Sequence, residues 1–356
     1  MRDKTLMTGW VMREAAYYEK LDNGSVRCML CPRRCFLQQG KTGVCRARRN
    51  IGGKLYSLNY GYIASVALDP IEKKPLYHFH PGSYILSAGT FGCNFKCRWC
   101  QNWSIAHGED QPASRMQDGF TDQEDSRVPD SGKGQSAGSV NGGRQLSGHG
   151  NGPFAEEEEE QAHAWNHRDV MLAELTPEKL ASLAEKYLSR GNIGVAYTYN
   201  EPTVWYEFVL ETAKLVREKG LVNVLVTNGS INEEPLEELL PYIDAMNIDV
   251  KAFTVDFYGR YCKGSLEHVK RTVERAAQSC HVEVTTLVIP GLNDSPWEIG
   301  ELARWLSAID RDIVLHLSRF FPNYKMLHIG PTPLETLERA KRSAQEHLRH
   351  VYLGNV

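Results

Sequence analysis

The sequence predicts an α/β fold, a partial (β/α)6-type barrel preceded by a small cysteine-rich module. Three observations carry this. From residue 83 onward, short apolar runs alternate with amphipathic helical stretches. Those runs are nearly continuous in apolar residues, as parallel strands covered on both faces tend to be. Upstream, residues 20–50 offer four cysteines among Gly, Arg and Pro where a core would need apolar residues. Parallel crossovers of this kind close into a full or partial barrel, with a doubly wound sheet as the alternative.

In chain order, residues 1–82 form the cysteine-rich, metal-binding module, with two short strand-like runs inside LYSLNYGYIASVALD and then a loop containing Pro and His. The barrel takes residues 83–356. Its first strand is SYILSAGT (83–90), with a cysteine cluster directly after it. Residues 104–168 interrupt the pattern with a Gly/Ser-rich stretch and an acidic run at 156–160, the composition of a disordered insertion. Thr176-Pro177 reads as an N-cap and first helical residue, opening a helix to about Arg190. The strand GVAYTY (194–199) follows. In the helix 202–219, Trp205, Phe208, Val209, Thr212, Leu215 and Val216 share a face, and Gly220 ends it. Strands at 221–227, 245–250, 282–289, 312–318 and 351–354 then alternate with helices near 232–240, 265–279, 296–309 and 333–347. In such folds functional groups belong at the C-terminal ends of the strands.

Composition excludes several classes. The 356 residues carry a formal net charge of −3 without a dense Lys/Arg stripe, so nucleic acid and anionic membranes are not expected partners. The N-terminal MRDKTLMTGW lacks the apolar run of a signal peptide, and no uncharged apolar stretch of about 18 residues suggests a membrane span. Seven of the nine cysteines lie in two tight clusters, which read as metal sites in a reducing, cytoplasmic setting.

The second cluster is GTFGC-NFK-C-RW-C, with Cys93, Cys97 and Cys100 spaced C-x3-C-x2-C. Three thiolates on one loop hold three irons of a cubane and leave the fourth open. A cluster used only for electron transfer normally has four cysteines. Zinc with a histidine as fourth ligand is the competing reading.

The signature C-x3-C-x-aromatic-C after the first barrel strand resembles that of the radical S-adenosylmethionine (SAM) superfamily. GTFGCNFKCRWCQNW resembles the branch related to pyruvate formate-lyase activating enzymes. Four N-terminal cysteines, then LNYG at 58–61 and DPIEKKPLYHF at 69–79, resemble the AmmeMemoRadiSam-system enzymes. The resemblance implies a radical SAM barrel. It implies a [4Fe–4S] cluster on Cys93, Cys97 and Cys100 whose free iron is chelated by SAM. Reductive cleavage then yields a 5′-deoxyadenosyl radical that abstracts hydrogen from a substrate.

It also implies SAM contacts. Trp99 is the signature's aromatic. Thr198, Asn200 and Glu201 fall where the family has Gly-Gly-Glu, the first two residues of which are not kept here. Asp249 and Lys251 match an Asp-x-Lys segment. Thr227-Asn228-Gly229, Thr286, the Pro290-Gly291 turn, His316 and Arg319 are further strand-end candidates. Flavodoxin or ferredoxin is the implied reductant, a protein the possible substrate, and AMMECR- and Memo-type proteins the possible partners.

Cys28, Cys31, Cys35 and Cys45 supply four thiolates (C-x2-C-x3-C-x9-C), suited to zinc or an auxiliary iron–sulfur cluster. Cys262 and Cys280 are expected to lie apart from both clusters and read as packing residues. The leading expectation is therefore an activating-enzyme-like radical SAM oxidoreductase. A glycyl-radical-enzyme activase and a non-catalytic zinc-binding adaptor are the alternatives.

Overall fold

The structure, a computed structural model, describes residues 12–108 and 172–356. The predicted insertion lies outside the described residues from 109 onward, and so does the N-terminal decapeptide. Residues 104–107 fall in the short helix Trp103–His107.

Eight strands form one sheet: β1 (Ser65–Pro70), β2 (Tyr84–Gly89), β3 (Asn192–Tyr197), β4 (Val222–Thr227), β5 (Ala245–Asp249), β6 (His281–Val288), β7 (Val314–Arg319) and β8 (Val351–Gly354). Their spatial order is their chain order. A doubly wound sheet would reverse direction at a switch point. This one never does, so the geometry is that of an open barrel. β2 to β8 are parallel, and β1 pairs antiparallel with β2 as an edge strand that the sequence does not announce.

Six helices cover the outer face: α1 (Pro177–Lys186), α2 (Tyr206–Glu218), α3 (Glu233–Leu239), α4 (Leu266–Ala276), α5 (Pro296–Ile309) and α6 (Leu334–Gln345). Thr176 caps α1, its hydroxyl accepting from the Lys179 N–H at 3.3 Å, with Pro177 at the first position. The main core lies between the sheet and the helices. Val195, Tyr197, Leu225, Ile248, Val284 and Leu315 meet Phe208, Val209, Val216 and Val273 there. The alternate strand residues face inward and are smaller or polar: Ala196, Val224, Ala245, Asn247, Glu283 and His316.

The loop after β1 enters the barrel at the N-terminal end of the parallel strands. Asn247 Nδ2 donates to the Pro75 carbonyl at 2.8 Å. The Tyr77 and His78 N–H groups donate to Glu283 at 3.0 and 2.8 Å. The His78 ring meets the Tyr352 hydroxyl at 2.8 Å. The segment thus ties the β1 edge to β8 and plugs the end of the barrel remote from the cysteine loop.

Upstream of β1, short antiparallel strands at Arg13–Glu14, Lys54–Ser57 and Arg48–Ile51, and at Tyr18–Lys20, Val26–Cys28 and Phe36–Leu37, form two three-stranded sheets. They dock on the barrel through a buried Arg48–Glu207 ion pair at 2.7 Å and through the Trp205 indole N–H, which donates to the Asn59 carbonyl at 2.7 Å.

Candidate active site

Thr90 to Asn102 leave the C-terminal end of β2 and carry Cys93, Cys97 and Cys100. Two glycines permit the turn. A Cβ on Gly89 would lie 2.3 Å from the Thr198 carbonyl oxygen. Gly92 has φ +95°, and a Cβ there would lie 2.7 Å from the Cys45 carbonyl oxygen. Asn200 clamps the same loop, accepting from the Thr90 N–H at 3.0 Å and donating to the Gly92 carbonyl at 3.0 Å.

The three thiols feel one another. Burial pushes the Cys93 thiol far up, with Glu201 and the other two cysteines adding to it. Burial, then Cys97, moves Cys100 up to about 12. Cys97 moves down, chiefly through a hydrogen bond from Cys262. Buried thiols whose ionised forms would repel one another suit a cationic metal centre that would take the protons' place. The Thr90 hydroxyl is buried without a hydrogen-bond partner in the chain. Among the described residues, no three His, Cys, Asp or Glu side chains converge to hold a single metal ion. Cysteine thiols are the donor type that holds iron–sulfur clusters, and three of them on one loop form a donor set that fits one.

Asp249 and Lys251 close β5 beside this loop. Lys251 Nζ pairs with Asp249 Oδ2 at 2.6 Å. Burial opposes the ammonium charge, but Asp249 and Cys97 outweigh it and hold Lys251 protonated above its ordinary range. Tyr258 fixes the backbone, its hydroxyl accepting from the Lys251 N–H at 3.0 Å. Thr198 lies at the end of β3, its N–H donating to the Ala88 carbonyl at 2.9 Å.

Glu201 is buried, at 2 % exposure. It accepts from the Thr203 N–H at 2.9 Å, the Thr227 hydroxyl at 2.7 Å and the Asn228 N–H at 2.8 Å. All these donors are neutral, and burial raises its pKa. Trp99 is 5 % exposed and packs on Phe257 with ring centroids 5.3 Å apart.

Two residues join the site that their sequence context did not mark. Cys262 is fully buried on a one-turn π-helix (Tyr258–Cys262), its carbonyl accepting from the Lys96 N–H at 2.8 Å and its thiol bonded to Cys97. The expectation that it stands apart from the clusters is corrected. Asn94 forms a chain with Asn228: Asn228 Nδ2 donates to Asn94 Oδ1 at 2.9 Å and lies 3.7 Å from Cys93 Sγ, while Asn94 Nδ2 donates to the Ser230 carbonyl at 2.7 Å. No motif flags Cys262, and only the placement of Asn228 after β4 could have pointed to the second.

Other candidates lie elsewhere. His316 is buried at the barrel's closed end, 2.6 Å from Glu283. Thr286 donates to the Val250 carbonyl at 2.8 Å, and Arg319 to the Thr332 carbonyl at 2.8 Å. Cys280 lies in the turn after α4, its thiol donating to the carbonyl of Ala276, the last residue of that helix, at 3.5 Å. A cavity of about 490 Å³ opens on the flank among Met29, Arg34, Asn232, His268 and Arg271; none of the three loop cysteines lines it.

Fold and site together define an α/β barrel protein with a thiol-rich loop at its C-terminal mouth. The match to a family is more particular: residues 88–306 match the Radical SAM superfamily, and the chain belongs to it. Its cofactors are accordingly a [4Fe–4S] cluster and SAM. Over 348 residues the chain is 38 % identical to the uncharacterized protein MJ0808 of Methanocaldococcus jannaschii, covering 97 % of this chain and 86 % of that one. It is 25 % identical to the (2S)-3-sulfopropanediol dehydratase activating enzyme of Klebsiella oxytoca, over 46 % of this chain and 53 % of the relative. A domain of the pyruvate-formate lyase-activating enzyme from Bacteroides vulgatus aligns with TM-score 0.41 and 17 % identity, over 46 % of this chain and 99 % of that one. Among the described residues no helix is long and apolar enough to cross a membrane.

Proposed function

We propose that Cys93, Cys97 and Cys100 hold the [4Fe–4S] cluster and that the chain cleaves SAM reductively at its fourth iron. The observation that carries this is the meeting of one three-cysteine loop with the Asp249–Lys251 pair at the C-terminal ends of β2 and β5. When bound, the cluster and SAM supply an electron and a 5′-deoxyadenosyl radical able to take hydrogen from a substrate. The residues bind and orient. Lys251 takes the SAM carboxylate, and Asp249 takes the ribose diol or balances the sulfonium. Glu201, whose bonded donors are all neutral, takes the ammonium group. Thr198 lines the same mouth. Asn200 holds the loop in register, and Trp99 fixes the loop's far end in the core.

In its finer form the reading is an AmmeMemoRadiSam-type oxidoreductase. It is reduced by a flavodoxin or ferredoxin, acts on a protein substrate and works with AMMECR- and Memo-type partners, in the cytoplasm. A second reading, activation of a glycyl-radical enzyme, draws support from the name of the Klebsiella relative. Deuterium transfer from labelled candidate substrates into 5′-deoxyadenosine separates the two. In domain terms, residues 1–82 serve as the metal-binding module and 83–356 as the catalytic barrel.

The decisive experiment is anaerobic reconstitution followed by a 5′-deoxyadenosine assay with dithionite and SAM. The wild type is expected to be brown and to form product, and Cys97→Ala to lose both iron and product. Unchanged iron and unchanged product in Cys97→Ala would end the proposal.

A further inference from the structure

The cysteine-rich module contains a second site. Cys28, Cys31, Cys35 and Cys45 line one cavity of about 20 Å³, together with Arg33, Arg48 and Asn94. That is room for about one water-sized sphere, hence for one ion and not for four irons with their sulfides. A Cβ placed on Gly43 lies 3.8 Å from both Cys35 Sγ and Cys45 Sγ, so these two thiols front the same space. The thiols do not yet converge on a point. Side-chain rotation is the smallest change that would bring four thiols lining one space onto a single ion, whereas opening a packed module for a cubane requires backbone movement.

An independent observation points to a ligand. Arg48 is 1 % exposed and lines this cavity, and its Nε–H has no hydrogen-bond partner. A buried guanidinium donor left unmade is expensive unless an anionic acceptor arrives. A metal-bound thiolate is such an acceptor, and hydrogen bonds of this kind complete a thiolate site. The other end of Arg48 is already committed to Glu207 at 2.7 and 2.8 Å.

The cavity is also shared with the cluster loop. Asn94, next to Cys93, forms part of its wall. Arg33 Nε donates to the Asn94 carbonyl at 2.7 Å, and the same guanidinium donates to the Lys263 carbonyl. Gly92 lies against the Cys45 backbone.

We propose that Cys28, Cys31, Cys35 and Cys45 bind one thiophilic divalent ion of the zinc class, and that this closed tetrathiolate centre braces the 90–97 loop from behind. The ion site stands without the reading of the 93–100 loop; only the bracing rests on it.

Metal analysis of the anaerobically purified wild type should find one zinc per chain beside about four irons. A wild type with no zinc overturns the proposal. The Cys93→Ala/Cys97→Ala/Cys100→Ala variant leaves the module intact, and native mass spectrometry should find it iron-free with one zinc. Iron in the module of that variant would overturn the zinc assignment. Iron still held at the 93–100 loop, with zinc unchanged, would fault only the reading of that loop. The Cys31→Ser/Cys35→Ser variant should lose the zinc, and its iron loading should fall at least twofold. Full zinc in that variant refutes the ligand set, and wild-type iron loading without zinc refutes the brace. Should it fail to fold, the first two measurements still decide the ion site.

Discussion

Replacing Gly92 with Ala tests the packing that positions the cysteine loop. Two costs add. The backbone there has φ +95°, a region closed to ordinary L-residues at about 1–3 kcal/mol. The new methyl would lie 2.7 Å from the Cys45 carbonyl oxygen and 3.2 Å from the Ala47 Cβ, both in the packed module. Neither contact is the far end of a flexible side chain, so the overlap is relieved only by moving backbone, at about 1–3 kcal/mol more. A total of about 2–6 kcal/mol is a large part of a domain's usual stability. It corresponds to a drop in apparent Tm on the order of 3–8 °C for a chain of this length. Because Cys93 is the next residue, iron loading should fall with it. Gly330→Ala is the matched control: its Cβ meets nothing within 4 Å and its φ is ordinary. The assay is a thermal scan with iron analysis of the three proteins, reconstituted side by side. A Gly92→Ala protein with wild-type Tm and wild-type iron would refute the claim that the Cys45 backbone presses on this loop.

Other residues give sharper readouts. Cys262→Ala should keep iron and SAM cleavage within about twofold of wild type, because its thiol bonds Cys97 and is not needed as a ligand; loss of the cluster would make it a fourth ligand and close the iron site that SAM requires. Asn228→Ala removes the amide 3.7 Å from Cys93 Sγ. Losing a donor worth about 0.5–1.5 kcal/mol should move the cluster potential about 20–60 mV more negative in a redox titration followed by electron paramagnetic resonance. Burial opposes the ionisation of Glu283, yet hydrogen bonds from His281, His316 and the Tyr77 and His78 N–H groups hold it at about 2, below its ordinary 4.5. A depressed carboxylate stabilises the fold above its unfolded value and loses that contribution as pH falls. Denaturant titrations from pH 4.5 down to 2 should therefore show the wild type losing about 3 kcal/mol that Glu283→Gln does not lose. Parallel slopes for the two proteins would show that Glu283 is not what anchors the plug.

Each part of the molecule was legible in the sequence to the extent that its cause was local. The buried strands announced themselves through continuous apolar runs such as LVNVLVT, and the observed strand Val222–Thr227 starts one residue inside that run. The helix Pro296–Ile309 matches its predicted bounds because Ser295-Pro296 fixes its start by local chemistry. Some strand ends do meet, since Asn200 bonds the Thr90–Gly92 loop and Asn228 reaches Glu201 and Cys93, whereas Thr286, His316 and Arg319 lie elsewhere. What a loop position cannot reveal is where its side chain spends its hydrogen bonds. Asn200 and Glu201 follow the same strand, yet Asn200 is used on the Thr90–Gly92 backbone and Glu201 on Thr203, Thr227 and Asn228. Such partners come from different strands, and only the assembled register brings them together.

Cys262 makes the point most strongly. Its approach to Cys97 depends on a π-turn that inserts one residue into the helix after β5. Without that extra residue the thiol would sit about 100° further round the helix and face away from the loop. Its separation in sequence from both clusters therefore misreads it as a packing cysteine, and a thiol that bonds Cys97 goes unnoticed. Arg48 fails to announce itself for the same reason. Among the arginines near the four module cysteines it looks like solvated surface, and only the assembled structure shows it buried against Glu207, lining the cysteine cavity with its Nε–H unpartnered. In both cases function is set by which face a side chain is given, and that choice is made by tertiary packing after the local pattern has been satisfied.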